Sequence, residues 1–143
     1  MKHCFYQLRK GIYERIKGLG YNVYQYPPQD VKPPYVMLAD MSSAPGEEDA
    51  DAYTQEVTTD IHVVVSYFGD QGSAIVVDEM TDDVISALVS KGVTQAERDK
   101  AITMDDFVMT PGDHNSTTQQ VNFDDVNREI RNVIQITAQI DSL

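Results

Sequence analysis

One long run of alternating side chains limits the folds open to this chain more than any other feature. Between Thr54 and Phe68, one set of alternate positions is mostly apolar and the other is more polar. The first set is Val57, Thr59, Ile61, Val63, Val65 and Tyr67, and the second is Thr58, Asp60, His62, Val64, Ser66 and Phe68. A period of two predicts a β-strand with one face against a core, and this run is longer than the average strand of about six residues.

Two segments with helical spacing lie on either side of this strand in the sequence. The first has an apolar residue every three or four positions, at Phe5, Leu8, Ile12, Ile16 and Leu19. The second, about Ser73–Ser90, repeats the pattern with Val76, Val77, Met80, Val84, Ala87 and Leu88. Such stripes predict amphipathic helices that bury one side. Glycines follow both segments, at Gly18, Gly20 and Gly92, as is common at helix C-termini.

Further strands are predicted where β-branched and aromatic residues cluster. The predicted strands are Asn22–Tyr26, Pro34–Met41, Ile102–Thr110, Thr117–Phe123 and Arg128–Ile140, with a turn at Pro111–Ser116. Asn132 is the exception to the apolar alternation of the last of these strands. The order of helices and strands predicts one α+β domain over residues 1–143, a mainly antiparallel sheet with two helices packed on one face. An acidic loop is predicted at Ser42–Tyr53.

The charge balance argues against several classes of partner. The chain has 23 acidic and 11 basic residues, for a net charge of −12. A field of that sign repels nucleic-acid phosphates and anionic lipid surfaces, so specific nucleic-acid or membrane-surface binding is disfavoured. The single cysteine, Cys4, rules out an intrachain disulfide framework and a zinc site built on several thiolates. With no apolar run typical of a signal peptide or a membrane span, the expectation is a soluble cytoplasmic protein.

Residues that often carry catalysis occur without a catalytic arrangement. Pairs of carboxylates lie next to each other at Asp82-Asp83, Asp105-Asp106 and Asp124-Asp125, and neighbours in a helix or strand point in different directions. The histidines, His3, His62 and His114, are scattered and lack a nucleophile motif. Gly18 and Gly20 follow a helix, whereas a phosphate loop precedes one. We therefore expect neither an enzyme nor a cofactor or metal site.

Two sequence features are candidates for protein contacts instead. Six of the eight tyrosines lie in the first 35 residues, Tyr24 and Tyr26 among them, and tyrosine is favoured at interfaces because its ring is apolar and its tip is polar. The alternative is that they rim the core. The acidic loop carries Glu47, Glu48, Asp49 and Asp51. It is either a solvated tip or a contact element that faces a channel or a neighbouring protein.

The arrangement of these segments resembles a known family. Pro33–Leu38 reads PPYVML, a polar excursion follows, and Glu56–Tyr67 reads EVTTDIHVVVSY ahead of a helix and the closing strand Arg128–Ile140. Over nearly the whole chain this order is similar to the tail completion proteins of long-tailed bacteriophages, also called tail terminator or tail-to-head joining proteins. Those motifs include no catalytic signature.

The resemblance implies a fold, a partner set and a location. It implies helices packed on an antiparallel sheet and a ring of identical copies, usually six, on the end of the tail tube. That ring ends tube growth and joins the tube to a head-completion or connector protein, while DNA passes through without specific binding. The implied location is the virion, and the host bacterial cytoplasm during assembly. The acidic segment at 42–53 and the charged stretch Gln95–Lys100 depart from the family pattern and leave another head–tail connector component open.

Two other classes of function are compatible with the residues. A small acidic inhibitor that mimics DNA would use the same net charge to occupy a basic cleft on a nucleic-acid-binding enzyme. An enzyme with an unrecognised carboxylate metal site would be stabilised by manganese or magnesium, because a ligand of the folded state raises its melting temperature. Ring formation discriminates the structural protein from both.

Overall fold

The computed structural model describes residues 4–25, 34–45, 54–68, 74–88, 102–122 and 127–142. Within these ranges the chain forms two helices and six strands. They are α1 (Phe5–Lys17), β1 (Val23–Tyr24), β2 (Tyr35–Pro45), β3 (Thr54–Phe68), α2 (Ala74–Leu88), β4 (Ile102–Thr103), β5 (Phe107–Asn122) and β6 (Asn127–Ser142).

All six strands belong to one sheet in the order β1-β2-β3-β6-β5-β4. The first pair is parallel and every other pair is antiparallel. The sheet is built around three long strands, because β3 has 15 residues while β5 and β6 have 16 each. The long strand read from the sequence alternation is confirmed at both ends, and the closing strand is confirmed and slightly longer than predicted.

Both helices pack against the same face of the sheet, which confirms the predicted α+β fold. That face carries Val57, Ile61 and Val63 of β3, and their register partners on β6, among them Ile134 and Ala138, extend the same apolar surface. The buried stripes of the two helices complete a single core cluster with these strands. The alternation in β3 therefore exists because one face lies under the helices.

Helix α1 is defined by its apolar stripe and by the glycines after it. Leu8, Ile12 and Ile16 are buried, and the N–H of Gly18 donates to the Glu14 carbonyl at 3.0 Å as the helix ends. Gly20 then adopts φ +95°, a left-handed conformation that is costly for any residue with a Cβ atom. Its backbone N–H donates back into the last helical turn, so the chain reverses tightly toward β1.

Helix α1 also lies between the two edges of the sheet, since it contacts β1 and β2 on one side and β4 on the other. A Cβ atom at Gly11 would come within 2.7 Å of Ile102 Cγ2, so the absence of a side chain there allows the close approach to β4. Next to it, Gln7 Nε2 donates to Asp106 Oδ2 at 2.7 Å and the Asp106 N–H donates to Gln7 Oε1 at 2.9 Å. These two bonds join the helix to the turn before β5.

Helix α2 covers β3 and β6 and packs against α1. Two polar contacts join the helices where their apolar stripes end. Arg15 Nη1 donates to the Ala87 carbonyl at 2.9 Å, a favourable place for a cation because the last carbonyls of a helix lack intrahelical partners. Tyr21 Oη donates to Asp83 Oδ2 at 2.5 Å, and this bond is the main reason that the Tyr21 pKa is raised to about 12.

The predicted strand Ile102–Thr110 is confirmed except for a turn that divides it into β4 and the start of β5, and the predicted turn Pro111–Ser116 is wrong. The chain turns between β4 and β5, where the Met104 N–H donates to the Phe107 carbonyl at 2.8 Å. It then continues as a strand straight through Pro111, where the pairing with β6 shifts by one residue. Such a bulge absorbs the proline, which lacks a ladder donor, on a strand near the sheet edge.

Strand β2 is longer than predicted, and the first of the short strands is smaller. Residues 42–45, assigned to the loop from the sequence, belong to β2 and pair with β3 from Thr58 to Gln55. A register shift between Leu38 and Met41 precedes them, so the strand continues past its apolar stretch because β3 offers a long partner. The predicted strand Asn22–Tyr26 is reduced to the two residues of β1.

Candidate interaction surfaces

The described residues hold no group of three or more His, Cys, Asp or Glu side chains that could bind a metal ion. Within the same ranges no helix is long and apolar enough to cross a membrane. Among the described polar side chains that converge, two clusters lie on opposite faces of β6. Each of them joins elements that are distant in the sequence.

The first cluster lies on the open face of the sheet, opposite the helices. Arg131 donates to Glu129 Oε1 from Nη2 at 2.7 Å and from Nε at 3.1 Å. Its third contact, from Nη1 to His62 Nδ1 at 3.1 Å, reaches the neighbouring strand β3. The Glu129 side chain is 5% exposed and that of Arg131 is 25% exposed. Arg131 thus neutralises a carboxylate that the fold removes from water.

The protonation state of His62 follows from this contact. Arginine has only donors, so His62 Nδ1 accepts and a neutral ring carries its proton on Nε2. Burial lowers the pKa of His62, and the neighbouring guanidinium of Arg131 lowers it further, against the opposing effect of Asp60, Asp40 and Glu129. Burial and the nearby Glu129 also raise the pKa of Tyr35. This arrangement fixes two strands together, and no candidate substrate group lies among its contacts.

The second cluster lies under α2 and explains the one polar residue in the apolar alternation of β6. Asn132 Nδ2 donates to Thr81 Oγ1 at 2.8 Å and to Asp78 Oδ1 at 3.0 Å, both on α2. On the other side, Thr118 Oγ1 of β5 donates to Asn132 Oδ1 at 2.6 Å. Buried polar groups need such partners. The network therefore fixes the position of α2 over two strands, and the exception at Asn132 was its sequence signal.

The outer face of α1 is aromatic and basic. Tyr6 is 76% exposed and Tyr13 is 39% exposed, and Lys10 lies between them on the same side of the helix. A groove of about 400 Å³ runs beside this face and is lined by Tyr6, Arg9, Lys10, Tyr13, Gln25 and Leu38. Arg9 lies over the Phe5 ring, and its buried Nε has no hydrogen-bond partner among the described residues.

The outer face of α2 is aliphatic and acidic. Ile75 is 65% exposed and Val76 is 48% exposed, so two aliphatic side chains face solvent in the first turn of the helix. The acidic side chains of this helix are Asp78, Glu79, Asp82 and Asp83, and it has no lysine or arginine. The two helices on one face of the sheet thus present opposite charges to solvent.

The sheet also leaves backbone groups open at its edges. In the described part of the chain, β4 pairs only with Val108 and Met109, so β5 beyond these residues has β6 on one side and no strand on the other. The side chains of residues 115–119 are exposed on both faces of that strand. Unpaired strand edges can add a strand from another chain.

Most of the residues predicted from the sequence as contact sites lie outside the described residues. These are Glu47, Glu48, Asp49, Asp51 and Tyr26. Tyr24 is described and lies half-buried, with its ring edge-on to that of Tyr35 at 5.9 Å between centroids. Tyr6 and Tyr13 of α1 belong to the tyrosine cluster predicted from the sequence, and both are exposed. The surface on α2 was not identified from the sequence.

Comparison with known proteins gives one kind of match. No family model matches the chain, and no curated protein matches it. Thirteen chains of solved structures match, among them a chain from a structure described as "Virion of native gene transfer agent (GTA) particle". That chain is 15% identical, the match covers 99% of both chains, and the TM-score is 0.62. At this identity the likeness shows a shared fold, from one end of the chain to the other.

Proposed function

We propose that this chain is a structural protein of a long-tailed phage, a prophage or a related particle, and that it has no catalytic activity. The observation that carries the proposal is the fold shared over 99% of both chains with a chain of a gene transfer agent virion. The sequence resemblance to tail completion proteins is independent of that comparison and agrees with it. The clustered polar side chains of the described residues join strands to each other and α2 to the sheet. This stabilising role is compatible with a structural protein.

Its proposed task is to form a ring on the end of the tail tube, which stops tube growth and joins the tube to the head-completion or connector protein. A ring requires that each copy present two different surfaces, because a head-to-tail interface closes when its rotation permits. The chain offers such unlike surfaces in its two oppositely charged helices and in the open edge of β5. We propose six copies, with Tyr24 and Tyr26 near the contacts between them.

Passage of DNA fits the charge of the chain. A net charge of −12 per copy gives the ring the same sign as the phosphate backbone, so the duplex is not held by counterion release and can slide. We propose that Glu47, Glu48, Asp49 and Asp51 face the lumen or the next ring. Replacing all four by Gln or Asn should impair joining or DNA passage and leave the melting temperature unchanged. Normal particle yield from that variant would contradict this role.

An acidic inhibitor that mimics DNA is the second candidate, because the net charge favours it. The charge distribution argues against it. A DNA mimic needs a continuous acidic surface, whereas α1 carries four basic residues and a single acidic one. Such an inhibitor would bind a basic enzyme with strong salt dependence and would not form rings.

The experiment for the proposed function is native mass spectrometry and negative-stain microscopy of the purified chain, alone and with tail tubes. The tail tubes come from the same phage, prophage or particle as this chain. We expect closed rings in solution or on tube ends, with the six copies that the resemblance to tail completion proteins implies. A chain that stays monomeric in both conditions, and leaves tube length unchanged, contradicts the proposal.

A further inference from the structure

The two exposed helix faces are complementary in charge, and both carry exposed apolar side chains. On α1, Tyr6, Lys10, Tyr13 and Lys17 recur at steps of four, three and four residues and so form one outward stripe. On α2, Ile75, Glu79, Asp82 and Ser86 recur at the same steps. The first stripe alternates aromatic rings with cations. The second begins with an aliphatic side chain and continues with anions.

Both stripes face solvent. The described hydrogen bonds that join the α1 region to α2 within one chain lie outside the stripes, from Arg15 to the Ala87 carbonyl and from Tyr21 to Asp83. All eight residues of the two stripes are exposed. The exposed aliphatic pair on one helix and the exposed aromatic pair on the other give each face apolar surface that a partner can cover.

We infer that the aromatic and basic face of α1 binds the aliphatic and acidic face of α2 from a neighbouring copy of this chain. Ile75 and Val76 enter the groove of about 400 Å³ beside Tyr6 and Tyr13, where large apolar side chains lose contact with water. Lys10 and Lys17 pair with Glu79 and Asp82 across the rim.

Two observations favour a second copy over another partner. The opposite charges of the two faces are both encoded in this one chain, so each copy carries a complement to both faces of its neighbours. The contact also joins two unlike surfaces, so every copy keeps one of each free for the next copy.

This inference rests on the proposed ring and names the surfaces that build it. Opposite charges set the register of the contact and speed its formation, while the buried apolar side chains hold it. Association should therefore weaken with salt and fail when one charge is reversed. It should recover when the opposing charge is reversed as well.

The test is a charge-reversal cycle with Lys10→Glu, Glu79→Lys and the double variant of one chain. Self-association is measured by native mass spectrometry and by analytical ultracentrifugation, with tail tubes added where the wild type needs them. Each single reversal should weaken association roughly tenfold or more. The double variant should regain most of the lost association. An equal mixture of the two single variants should regain it too, because copies that alternate around a ring meet complementary faces at every contact.

Glu56→Lys is the matched control. It is a charge reversal of the same size at an exposed site on the open face of the sheet, and it should leave association unchanged.

The outcomes separate this inference from the proposed function. Wild-type rings that persist in both single variants overturn the helix contact and leave the ring proposal standing. Single variants that lose association without recovery in the double variant contradict the pairing of these two faces. Single variants that form normal rings but no longer bind tail tubes show that the faces bind a different protein, which also overturns the inference. A wild type that never associates overturns both proposals. Thermal melting of every variant checks that the fold is retained.

Discussion

The two faces of the central sheet are stabilised in different ways. The face under the helices is apolar apart from Thr59 and the network at Asn132, and its side chains are fixed by burial. The open face, by contrast, combines hydroxyl and amide side chains with one charged cluster, in which Arg131 links Glu129 to His62. Stability therefore comes mainly from one face, and the other is held by specific polar pairs. This division leaves the outer surfaces of the chain free for binding.

The largest difference between the two faces is expected from removing a buried side chain. Ile134 lies on β6, pairs with Ile61 of β3 and is 0% exposed on the face under the helices. Ile134→Ala should lower the free energy of unfolding by about 2–5 kcal/mol. The neighbouring change Gln135→Ala, on the open face, should stay within about 0.5 kcal/mol. Urea unfolding measures both. Equal losses would mean that the helices do not cover the face as described.

The charged cluster should be the most sensitive point of the open face. Arg131→Met leaves Glu129 buried without its partner and should cost about 3 kcal/mol, near the lower end for a broken buried pair because the Arg131 side chain is 25% exposed. Adding Glu129→Leu removes the stranded charge and should restore part of that loss. Urea unfolding of both variants provides the check. An Arg131→Met variant as stable as the wild type would show that water already solvates the pair of Arg131 and Glu129.

The polar network under α2 should contribute less than either, since two of its members reach solvent. Asn132→Ala removes the bonds to Thr81, Asp78 and Thr118 and should cost about 1–2 kcal/mol, because water can replace Asn132 at the two exposed partners. Thr118→Val, which removes only one bond at an exposed site, is the smaller matched change. Thermal melting ranks the two, and a larger loss for Thr118→Val would contradict the network.

The smallest effect is expected from pH. Because the folded protein holds the pKa of His62 below its ordinary value of 6.5, the unfolded chain binds more protons just below pH 6.5. The contribution of His62 to stability is thus present above that pH and is lost as pH falls through this window. His62→Gln should flatten the difference in stability between pH 7 and pH 5.5 relative to wild type. An unchanged pH dependence in the variant would contradict the buried neutral state.

The sequence was most informative where side-chain periodicity is strong. The ends of β3 follow from its alternation, and the two helices follow from their apolar stripes. In both cases burial on one side imposes the period on the residues. It was least informative where long-range pairing overrides local preference. The Pro111-Gly112-Asp113 segment has the composition of a turn, yet β6 offers a partner along its whole length and the extra residue becomes a bulge.

The same limit applies to the surfaces. Arg131 and His62 are 69 positions apart in the chain, so their contact depends on a strand pairing that periodicity does not specify. The acidic residues of the 47–51 segment are conspicuous in the sequence because they lie close together along it. In contrast, the charges of α1 and α2 are spread at helical spacing and acquire meaning only when the helices are placed side by side. Asn132 was visible as an exception, but its partners on α2 and β5 were not.

The central claim is that copies of this chain assemble on a tail tube. Cryo-electron microscopy of tail tubes grown with and without the protein tests it most directly. The account predicts tubes of limited length that end in a closed ring of this chain, with the faces of α1 and α2 in contact between adjacent copies. Tubes that grow equally long in both samples, with bare ends, would contradict it.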